Sequence, residues 1–406
     1  MKTVGIIAEY NPFHNGHKYQ IEQARKITGA DYCIVVMSGN FVQRGEPAVF
    51  DKYTRTKMAL SEGADLVFEL PVCFATSSAE LFAASAVSLL DHLGCTDFLC
   101  FGSECGSLPQ LSAIADILSQ EPVPFRSCLQ DLLRQGHTYP EAMSKAYEYY
   151  AKNLYSGETE VSFDQSLFTE PNNLLAIEYL KTCKRRNSSI IPITIPRKGQ
   201  AYHATQADEP FSSASAIRNS IASGADNVQL SKWIPASALS QIRCKQALQA
   251  DDFSALLDTF RIYEKDYARY AGISHDFSNR LLSFSLTPMT FSDLARKIKT
   301  RQYTYSYISR GLLHLLLQIK KEDIELGKSS DYTPYLRILG VRKDATYLLR
   351  RIKAHTDLPL INKLADAAPN RLLELDIQAA HLYRSVLYHK TGHLLPDEYR
   401  AGICIL

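Results

Sequence analysis

The chain has 406 residues, of which 46% are hydrophobic and 22% charged, which is typical of a soluble protein large enough for two or three domains. No run of about 20 apolar residues occurs, so no membrane-spanning helix is expected. The first apolar run is short and Glu9 follows it, which argues against a secretory signal and favours a cytoplasmic protein. Nine cysteines without a C-x-x-C pair favour buried free thiols over a zinc site or disulfides.

The net charge of +2 is unevenly distributed along the chain. Residues 1–222 contain 19 Lys and Arg against 24 Asp and Glu, whereas residues 223–406 contain 26 against 19. The two parts therefore carry −5 and +7, and composition also changes near residue 223, where we place a domain boundary. A basic half of this kind often binds a polyanion, although a solvated surface has the same composition.

The first strand pattern ends in a motif suited to phosphate. The apolar run 4–8 predicts a buried parallel strand, and Asn11-Pro12 predicts the turn that ends it. His14-Asn-Gly-His17 then opens a predicted helix over 18–25, whose N-terminal amides and dipole favour an anion. Gly16 lets a ligand approach the backbone, and the imidazoles can donate hydrogen bonds to phosphate oxygens. The histidines could simply cap the helix, but their spacing around a glycine at this turn favours phosphate chemistry.

Strand and helix patterns continue in alternation through the N-terminal part. Further strands are predicted over 32–37, 65–70, 97–101 and 189–195, with helices over 51–61 and 77–93. This order predicts a doubly wound, Rossmann-like parallel α/β sheet, followed by a mainly helical C-terminal domain. Ligands bind beyond the C-terminal strand ends of such sheets, so the loops 10–17, 38–45 and 102–106 should surround one site.

A helical pattern from about 108 to 186 predicts an insertion over that site. Within it, Asn172 and Asn173 are predicted to cap a helix. Arg197 follows the strand over 189–195, and residues 211–218 start another helix. Ser213, Ser215 and Arg218 would form a second anion pocket there. Serines in a first turn also cap helices without binding anything, but the nearby Arg197 favours phosphate.

The C-terminal part is mainly helical in pattern, with strand-like pieces at 334–339 and near 358–361. In the segment 294–310, cations surround three tyrosines at alternate positions. RNA recognition combines such cations, which contact phosphates, with aromatic rings, which stack on bases. A solvated helix face would carry similar charges. The cations predicted to bind RNA are Arg296, Lys297, Lys299, Arg301 and Arg310.

Several nucleotide and hydrolase motifs are absent from the sequence. It contains no P-loop, no Gly-x-Gly-x-x-Gly after the first strand and no Gly-x-Ser-x-Gly elbow. No pair of acidic residues is placed as an evident general acid and base. What is left is a site of hydrogen-bond donors and cations, suited to transferring a nucleotidyl group by positioning and charge stabilisation.

These motifs resemble those of known families. His14-Asn-Gly-His17 is similar to the HIGH signature of the nucleotidyltransferase and class I aminoacyl-tRNA synthetase superfamily, and residues 212–218 are similar to its serine-rich signature ending in Arg. More closely, residues 8–17, 37–47 and 101–104 resemble the bacterial tRNA(Met) cytidine acetate ligase family. Residues 171–174 and the strand end at Arg197 fit the same family.

The resemblance implies an ATP-dependent ligase that forms N4-acetylcytidine at the wobble position of elongator tRNA(Met). Acetate would be activated as acetyl-adenylate, and the cytidine amine would take the acetyl group. Mg²⁺ is expected with ATP, but no carboxylate can be named as its ligand. The expected catalytic residues are His14, His17, Arg197 and Arg218, the last on the basis of the wider superfamily. The residues expected to bind ATP are Ile7, Ala8, Glu9, Tyr10, Asn11, Pro12, Phe13, His14, Asn15, Gly16, His17, Lys18, Tyr19, Gln20, Gly102, Asn172, Arg197, Ser213 and Ser215.

Two other functions are compatible with the motifs. A small-molecule adenylyltransferase would use the same turn, but it would leave the basic C-terminal half unexplained. A non-catalytic RNA-binding protein could retain a nucleotide-binding fold, but the intact His14, Gly16 and His17 argue against it. Turnover without tRNA would support the first of these, and absence of acetate-dependent ATP–pyrophosphate exchange would support the second.

Overall fold

A largely parallel sheet forms the centre of the computed structural model, which describes residues 1–137, 139–153, 165–197, 211–243, 246–284, 287–300 and 303–406. Its strands are β1 (Thr3–Ala8), β2 (Tyr32–Ser38), β5 (Leu66–Leu70), β6 (Phe98–Ser103), β7 (Ile191–Pro196), β8 (Leu336–Val341), β9 (Leu360–Ile361) and β10 (Cys404–Ile405). Two short strands, β3 (Phe41–Val42) and β4 (Glu46–Pro47), form a separate hairpin.

The strand order in the sheet is β10-β8-β5-β2-β1-β6-β7, with β9 beside β8. All the pairs are parallel except β5 with β8, which is antiparallel. β1 lies between β2 and β6, so its C-terminal end opens at the middle of the sheet. The predicted strands over 4–8, 32–37, 65–70, 97–101 and 189–195 thus all belong to one sheet.

Helices cover the sheet and form most of the remaining structure. They are α1 (Asn15–Thr28), α2 (Lys52–Ser61), α3 (Val72–Ala75), α4 (Ala79–His92), α5 (Leu108–Gln120), α6 (Val123–Arg134), α7 (Tyr139–Asn153), α8 (Pro171–Arg185), α9 (Ala214–Ala222), α10 (Asn227–Leu230), α11 (Ala236–Leu239), α12 (Ser254–Tyr263), α13 (His275–Leu282), α14 (Phe291–Ile298), α15 (Tyr305–Leu316), α16 (Lys321–Ser329), α17 (Thr346–His355) and α18 (Arg371–Thr391). Within the described residues, no helix is long and apolar enough to cross a membrane.

Both faces of the sheet are buried, because neighbouring residues of a strand point to opposite sides. Val36 packs on one face with apolar residues of α4, α5 and α8. Val35 packs on the other face with residues of α1, α2 and α9. This three-layer arrangement is the predicted doubly wound fold.

The C-terminal half forms most of a second hydrophobic core and also extends the sheet. Apolar side chains of α12 to α16 and of α18 make up this core together with Phe41 of β3 and with Val72, Cys73 and Phe74 of α3. The strand-like pieces of this half are β8 and β9, and β8 pairs directly with β5. The sheet therefore extends past the division proposed near residue 223, and that division stays a prediction.

Candidate active site

A cavity lies beyond the C-terminal ends of the central strands, where ligands of doubly wound sheets bind. Its volume is about 190 Å³, and a smaller cavity of about 50 Å³ adjoins it. The three loops predicted to surround one site all contribute, through residues such as Asn11, Arg44 and Gly102. Predicted ATP-binding residues that line one or both cavities are Ile7, Ala8, Glu9, Tyr10, Asn11, His14, Gly16, His17, Tyr19, Gln20, Gly102, Asn172, Arg197, Ser213 and Ser215.

Other residues of the predicted ATP loop support the turn and do not line either cavity. Phe13 is fully buried and packs its ring against Tyr10. Lys18 pairs with Glu62 at 3.0 Å, and Asn15 donates to the backbone of residue 232. Pro12 follows a cis peptide bond in the turn. That these four residues take part in ATP binding stays a prediction.

The two histidines are held by reciprocal backbone contacts at the start of α1. Nδ1 of His14 accepts a hydrogen bond from the Gly16 amide at 3.0 Å, so His14 is the N-cap residue. Nδ1 of His17 accepts from the His14 amide at 3.2 Å. The rings are stacked with centroids 3.8 Å apart. Because Nδ1 is an acceptor in each ring, the proton of the neutral form is on Nε2, which makes Nε2 a donor.

Burial keeps both imidazoles neutral. It lowers the pKa of His14 to about 3, with Arg197 and Arg218 acting in the same direction. Burial also lowers the pKa of His17 well below its ordinary value, assisted by His14 and Arg197. The pair therefore offers hydrogen-bond donors without carrying charge, and the cations of the site are the arginines. Capping and phosphate donation are compatible, because they use different ring nitrogens.

Gly16 has a second role besides the predicted approach of a ligand, because its missing side chain makes room for the His14 ring. A Cβ atom at this position would lie 2.8 Å from Cε1 of His14. The missing side chain thus lets the His14 ring fold back over the first turn of α1. Gly16 also lines the smaller cavity.

The turn before the histidines is fixed from several sides. Tyr10 has a φ of +49° and is nearly fully buried, with its ring 4.8 Å from that of His17. Oδ1 of Asn11 accepts from the Val49 amide at 2.8 Å. The Asn11 carbonyl accepts from Nη1 of Arg218 at 2.8 Å. These contacts position the turn relative to α9 before any ligand binds.

The serine-rich segment at the start of α9 both caps the helix and lines the cavities. Oγ of Ser213, the N-cap residue, accepts from the Ala216 amide at 3.2 Å. Arg218 donates to Oγ of Ser215 at 3.3 Å and pairs with Glu46 at 3.4 Å. Oγ of Ser212 is buried without a partner among the described residues, and Ser212 lines the smaller cavity. It was not among the predicted binding residues, although its serine-rich neighbours were.

Asn172 and Asn173 are not the cap residues that their sequence suggests. The N-cap of α8 is Glu170, which makes no side-chain capping bond. The carboxylate of Glu104 instead accepts from the amides of Asn172 and Asn173, at 3.3 and 2.8 Å. Oδ1 of Asn173 in return accepts from the amides of Glu104 and Cys105. The cap thus comes from the loop after β6, and this reciprocal pair holds Asn172 at the cavity wall.

Arg197 reaches the same wall from the end of β7. Its amide donates to the carbonyl of Ser103 at 3.0 Å, which continues the strand pairing by one residue. Its guanidinium is exposed and donates to Oδ1 of Asn172 at 3.4 Å. The Arg197 side chain packs against Gly102, because a Cβ atom at Gly102 would lie 3.4 Å from Cγ of Arg197. An exposed cation therefore lies at the opening of the cavity.

The rest of the cavity lining consists of the Glu9 carboxylate, the loop containing Gln43 and Arg44, and a group of apolar residues. Oε1 of Glu9 accepts from the Gln43 amide at 2.8 Å. Burial raises the pKa of Glu9, opposed by this bond and by Arg44 and Arg218. Phe82, Phe101, Leu175 and Tyr179 supply apolar surface there. Glu9 and the loop containing Gln43 and Arg44 were predicted to reach the site, and Phe101 begins the motif at 101–104. No motif identified Phe82, Leu175 or Tyr179.

The described residues do not form a protein-held metal site. No group of three or more His, Cys, Asp or Glu side chains among them could hold a metal ion. Glu9 is the carboxylate that they place on the cavity wall. Mg²⁺ commonly binds through substrate phosphates, waters and one or two carboxylates, so the expected ion would arrive on ATP.

The basic segment is divided between two helices. Arg296 and Lys297 are exposed on α14, and Lys299 is exposed at its C-terminal end. Arg296 pairs with Asp293 at 2.6 Å. Arg310 belongs to α15 and is partly buried, and Arg301 lies outside the described residues.

The fold and the site define a class of protein. A parallel α/β sheet carries a HIGH-type turn at the end of its first strand, and neutral histidines and arginines line a cavity there. A family model described as HIGH Nucleotidyl Transferase matches residues 1–395. The fold and the site are thus those of a HIGH nucleotidyltransferase.

Named relatives identify the family within this class. Proteins named tRNA(Met) cytidine acetate ligase include one from Acetivibrio thermocellus, 38% identical over the whole of both chains. Another, from Thermoanaerobacter sp. (strain X514), is 40% identical over 94% of this chain and 95% of its own. The chain belongs to the tRNA(Met) cytidine acetate ligase family, as its motifs predicted.

Solved structures agree with this assignment over the full length of both chains. Thermotoga maritima TmcAL in its apo form I has a TM-score of 0.90 at 27% identity. The same protein bound with alpha-thio ATP has a TM-score of 0.88 at 28% identity. The predicted fold class is confirmed, and the relationships support an ATP-dependent ligase activity.

Proposed function

We propose that this protein activates acetate with ATP and transfers the acetyl group to the N4 amine of the wobble cytidine in elongator tRNA(Met), forming N4-acetylcytidine. The observation that carries the proposal is the stacked, neutral pair of His14 and His17 on the wall of the cavity at the HIGH-type turn. The names of the relatives supply the substrates, namely tRNA(Met), cytidine and acetate. The free cysteines of the described chain fit a reaction in the reducing cytoplasm.

In the first step, an acetate oxygen attacks the α-phosphorus of ATP and the bond to the bridging oxygen breaks. The products are acetyl-adenylate and pyrophosphate. Negative charge builds on the transferring phosphoryl oxygens and on the leaving group, where donors and cations stabilise it most. Nε2–H of His14 and of His17 donate to these oxygens, and Arg197 and Arg218 offset the charge. Neutral imidazoles suit this role because they leave the arginines free to bind the anion.

In the second step, the cytidine N4 amine attacks the acetyl carbonyl carbon and the bond to the adenylate oxygen breaks. AMP leaves, and the amine gives up one proton. We propose that the Glu9 carboxylate accepts this proton, because its raised pKa makes it a stronger base than an ordinary glutamate. Glu9→Gln should retain acetate-dependent ATP–pyrophosphate exchange and lose transfer to RNA by about 100-fold. Equal loss of both activities would contradict this role.

The test of the whole proposal is incubation with labelled acetate and ATP, with and without a tRNA(Met) transcript. Label in N4-acetylcytidine, dependent on ATP, is the expected result. Absence of label from RNA would contradict the proposal. Product formation without tRNA would instead favour a small-molecule adenylyltransferase, and absence of acetate-dependent exchange would favour a non-catalytic RNA-binding protein.

The RNA would be held by the basic C-terminal half. Arg296, Lys297 and Lys299 present cations to solvent at the end of α14. Cations at such positions neutralise RNA phosphates and release counterions, which supplies affinity without sequence selectivity.

A further inference from the structure

A second cavity of about 220 Å³ lies close to the active cavity, between the start of α4 and helices α15 and α16. Leu81 of α4 lines it, and the next residue, Phe82, lines the active cavity. Neighbouring residues of one helix therefore contribute to both cavities.

The loop after β3 also connects the two cavities. Oγ of Ser309 donates to the carbonyl of Gly45 at 2.8 Å. Gly45 has a φ of +82°, and a Cβ there would overlap the backbone of Arg310. The preceding residue, Arg44, lines the active cavity. A single loop thus touches both sites, with Arg310 on its far side.

Two of the described residues that line the second cavity, Arg310 and Lys321, are cations. Among the residues that the structure describes, neither Arg310 nor Lys321 has a hydrogen-bond or ion-pair partner. Glu325 lines the same cavity but pairs with Lys328 at 2.7 Å. Burial lowers the pKa of His314 to about 4, so this imidazole adds no charge. A partly buried arginine without a partner is costly unless an anion completes it.

An aromatic surface adjoins these cations. Tyr307 lines the cavity, and its ring lies nearly parallel to that of Tyr303, with centroids 5.3 Å apart. Tyr303 is held by a hydrogen bond from its hydroxyl to Asp276 at 2.9 Å. Aromatic rings of this kind stack on nucleic-acid bases, and unpaired cations bind the phosphates between them.

We propose that this cavity is a nucleotide subsite that binds a residue of the RNA next to the target cytidine. Arg310 and Lys321 hold its phosphate, and Tyr307 provides a surface for its base. The target cytidine then enters the active cavity on the other side of Phe82 and Arg44. This inference rests on the proposed function, because it assumes that RNA is the acyl acceptor.

The first test compares Arg310→Gln and Lys321→Gln with Lys26→Gln, an exposed cation in the last turn of α1. The probe is an RNA hairpin with the tRNA(Met) anticodon loop. We expect the Kd to rise about tenfold for Arg310→Gln and less for Lys321→Gln, with the salt dependence of log Kd falling by about 1 for each lost contact. Acetate-dependent ATP–pyrophosphate exchange should stay unchanged. Lys321 is exposed, so its variant keeps the test valid if Arg310→Gln fails to fold.

The second test replaces single phosphates beside the target cytidine with neutral methylphosphonates. At one phosphate position, the replacement should weaken RNA binding by the wild-type protein but should not weaken binding by the Arg310→Gln variant any further. The subsite proposal would be overturned if the phosphate replacement and Arg310→Gln had additive effects on binding at every position. It would also be overturned if Arg310→Gln and Lys321→Gln bound the RNA as tightly as Lys26→Gln does. If the wild-type protein binds RNA but never acetylates it, the proposed reaction fails while this site stands.

Discussion

The active cavity and a buried cluster formed by Lys52, Glu69, Arg337 and Glu398 use charged groups in opposite ways. In the cluster, Nζ of Lys52 lies 2.9 Å from Glu69 and 2.8 Å from Glu398. Arg337 pairs with the same two carboxylates. Burial opposes ionisation of Glu398, but Lys52 and Arg337 together lower its pKa to about 2. Two cations and two anions thus compensate one another inside the protein.

The active cavity is compensated only in part, by the pair of Arg218 with Glu46 at 3.4 Å. His14 and His17 are buried but neutral, and Arg197 reaches into solvent over the opening. Its donors and cations point to a space that a phosphate can occupy. The comparison shows that donors left available toward a cavity indicate a binding site better than the number of charges does, since the cluster consists of charged groups and yet closes on itself.

The largest expected effect comes from breaking the closed cluster. Glu398→Gln leaves Lys52 and Arg337 with one carboxylate between them, so the free energy of unfolding should fall by about 3–5 kcal/mol. Urea denaturation measures this, with the exposed Glu322→Gln as control. A loss no greater than that of the control would mean that the cluster is not structural.

Removing a donor from the open cavity should affect catalysis and leave stability nearly unchanged. His14→Asn retains an N-cap side chain but lacks the Nε2–H donor. Acetate-dependent ATP–pyrophosphate exchange should fall by about 100-fold, with an unchanged melting temperature. Full activity in this variant would show that His14 only caps the helix.

Asp376, a buried carboxyl group close enough to Glu69 of the cluster to feel its charge, tests whether stability in this region depends on pH. Its carboxylate accepts from the Val72 amide at 2.7 Å and from the Tyr335 hydroxyl at 2.5 Å. Burial, and then Glu69, raise its pKa to about 7. Because this pKa is above the unfolded value of about 3.9, the contribution of Asp376 to stability is present in acid and is lost as the pH rises toward 7.

Wild-type protein should therefore lose stability between about pH 4 and pH 7 relative to Asp376→Asn, by at most about 1.4 kcal/mol per pH unit. Asn keeps an oxygen for the Val72 amide and does not ionise. Denaturation at several pH values measures the difference. Parallel curves for the two proteins would contradict the raised pKa.

The smallest effect is expected on the exposed surface of α14. Lys297→Gln with Lys299→Gln should weaken tRNA binding a few-fold and reduce its salt dependence by about 1 for each phosphate contact. Acetyl-adenylate formation should not change. Loss of both activities would mean that this surface supports the fold, like the closed cluster.

Local patterns in the sequence determined the strands of the N-terminal half and the HIGH-type turn that follows β1. Apolar runs, Asn11-Pro12 and the His-x-Gly-His spacing act over a few residues, so they can be identified without the fold. The same patterns indicated β8 and β9 but not their place in the sheet, since pairing with β5 joins segments that are far apart in the chain.

Only the tertiary structure decided which charged residues are available to a ligand. Lys52 and Arg55 lie on the same basic helix, yet both are fully buried. Arg55 donates to four backbone carbonyls near the site, those of Glu9, Ser38, Gly39 and Phe50. The cap of α8 by Glu104, and the lack of a partner for Arg310 among the described residues, likewise depend on distant segments. Charge is a property of one residue, but its compensation depends on every segment packed around it.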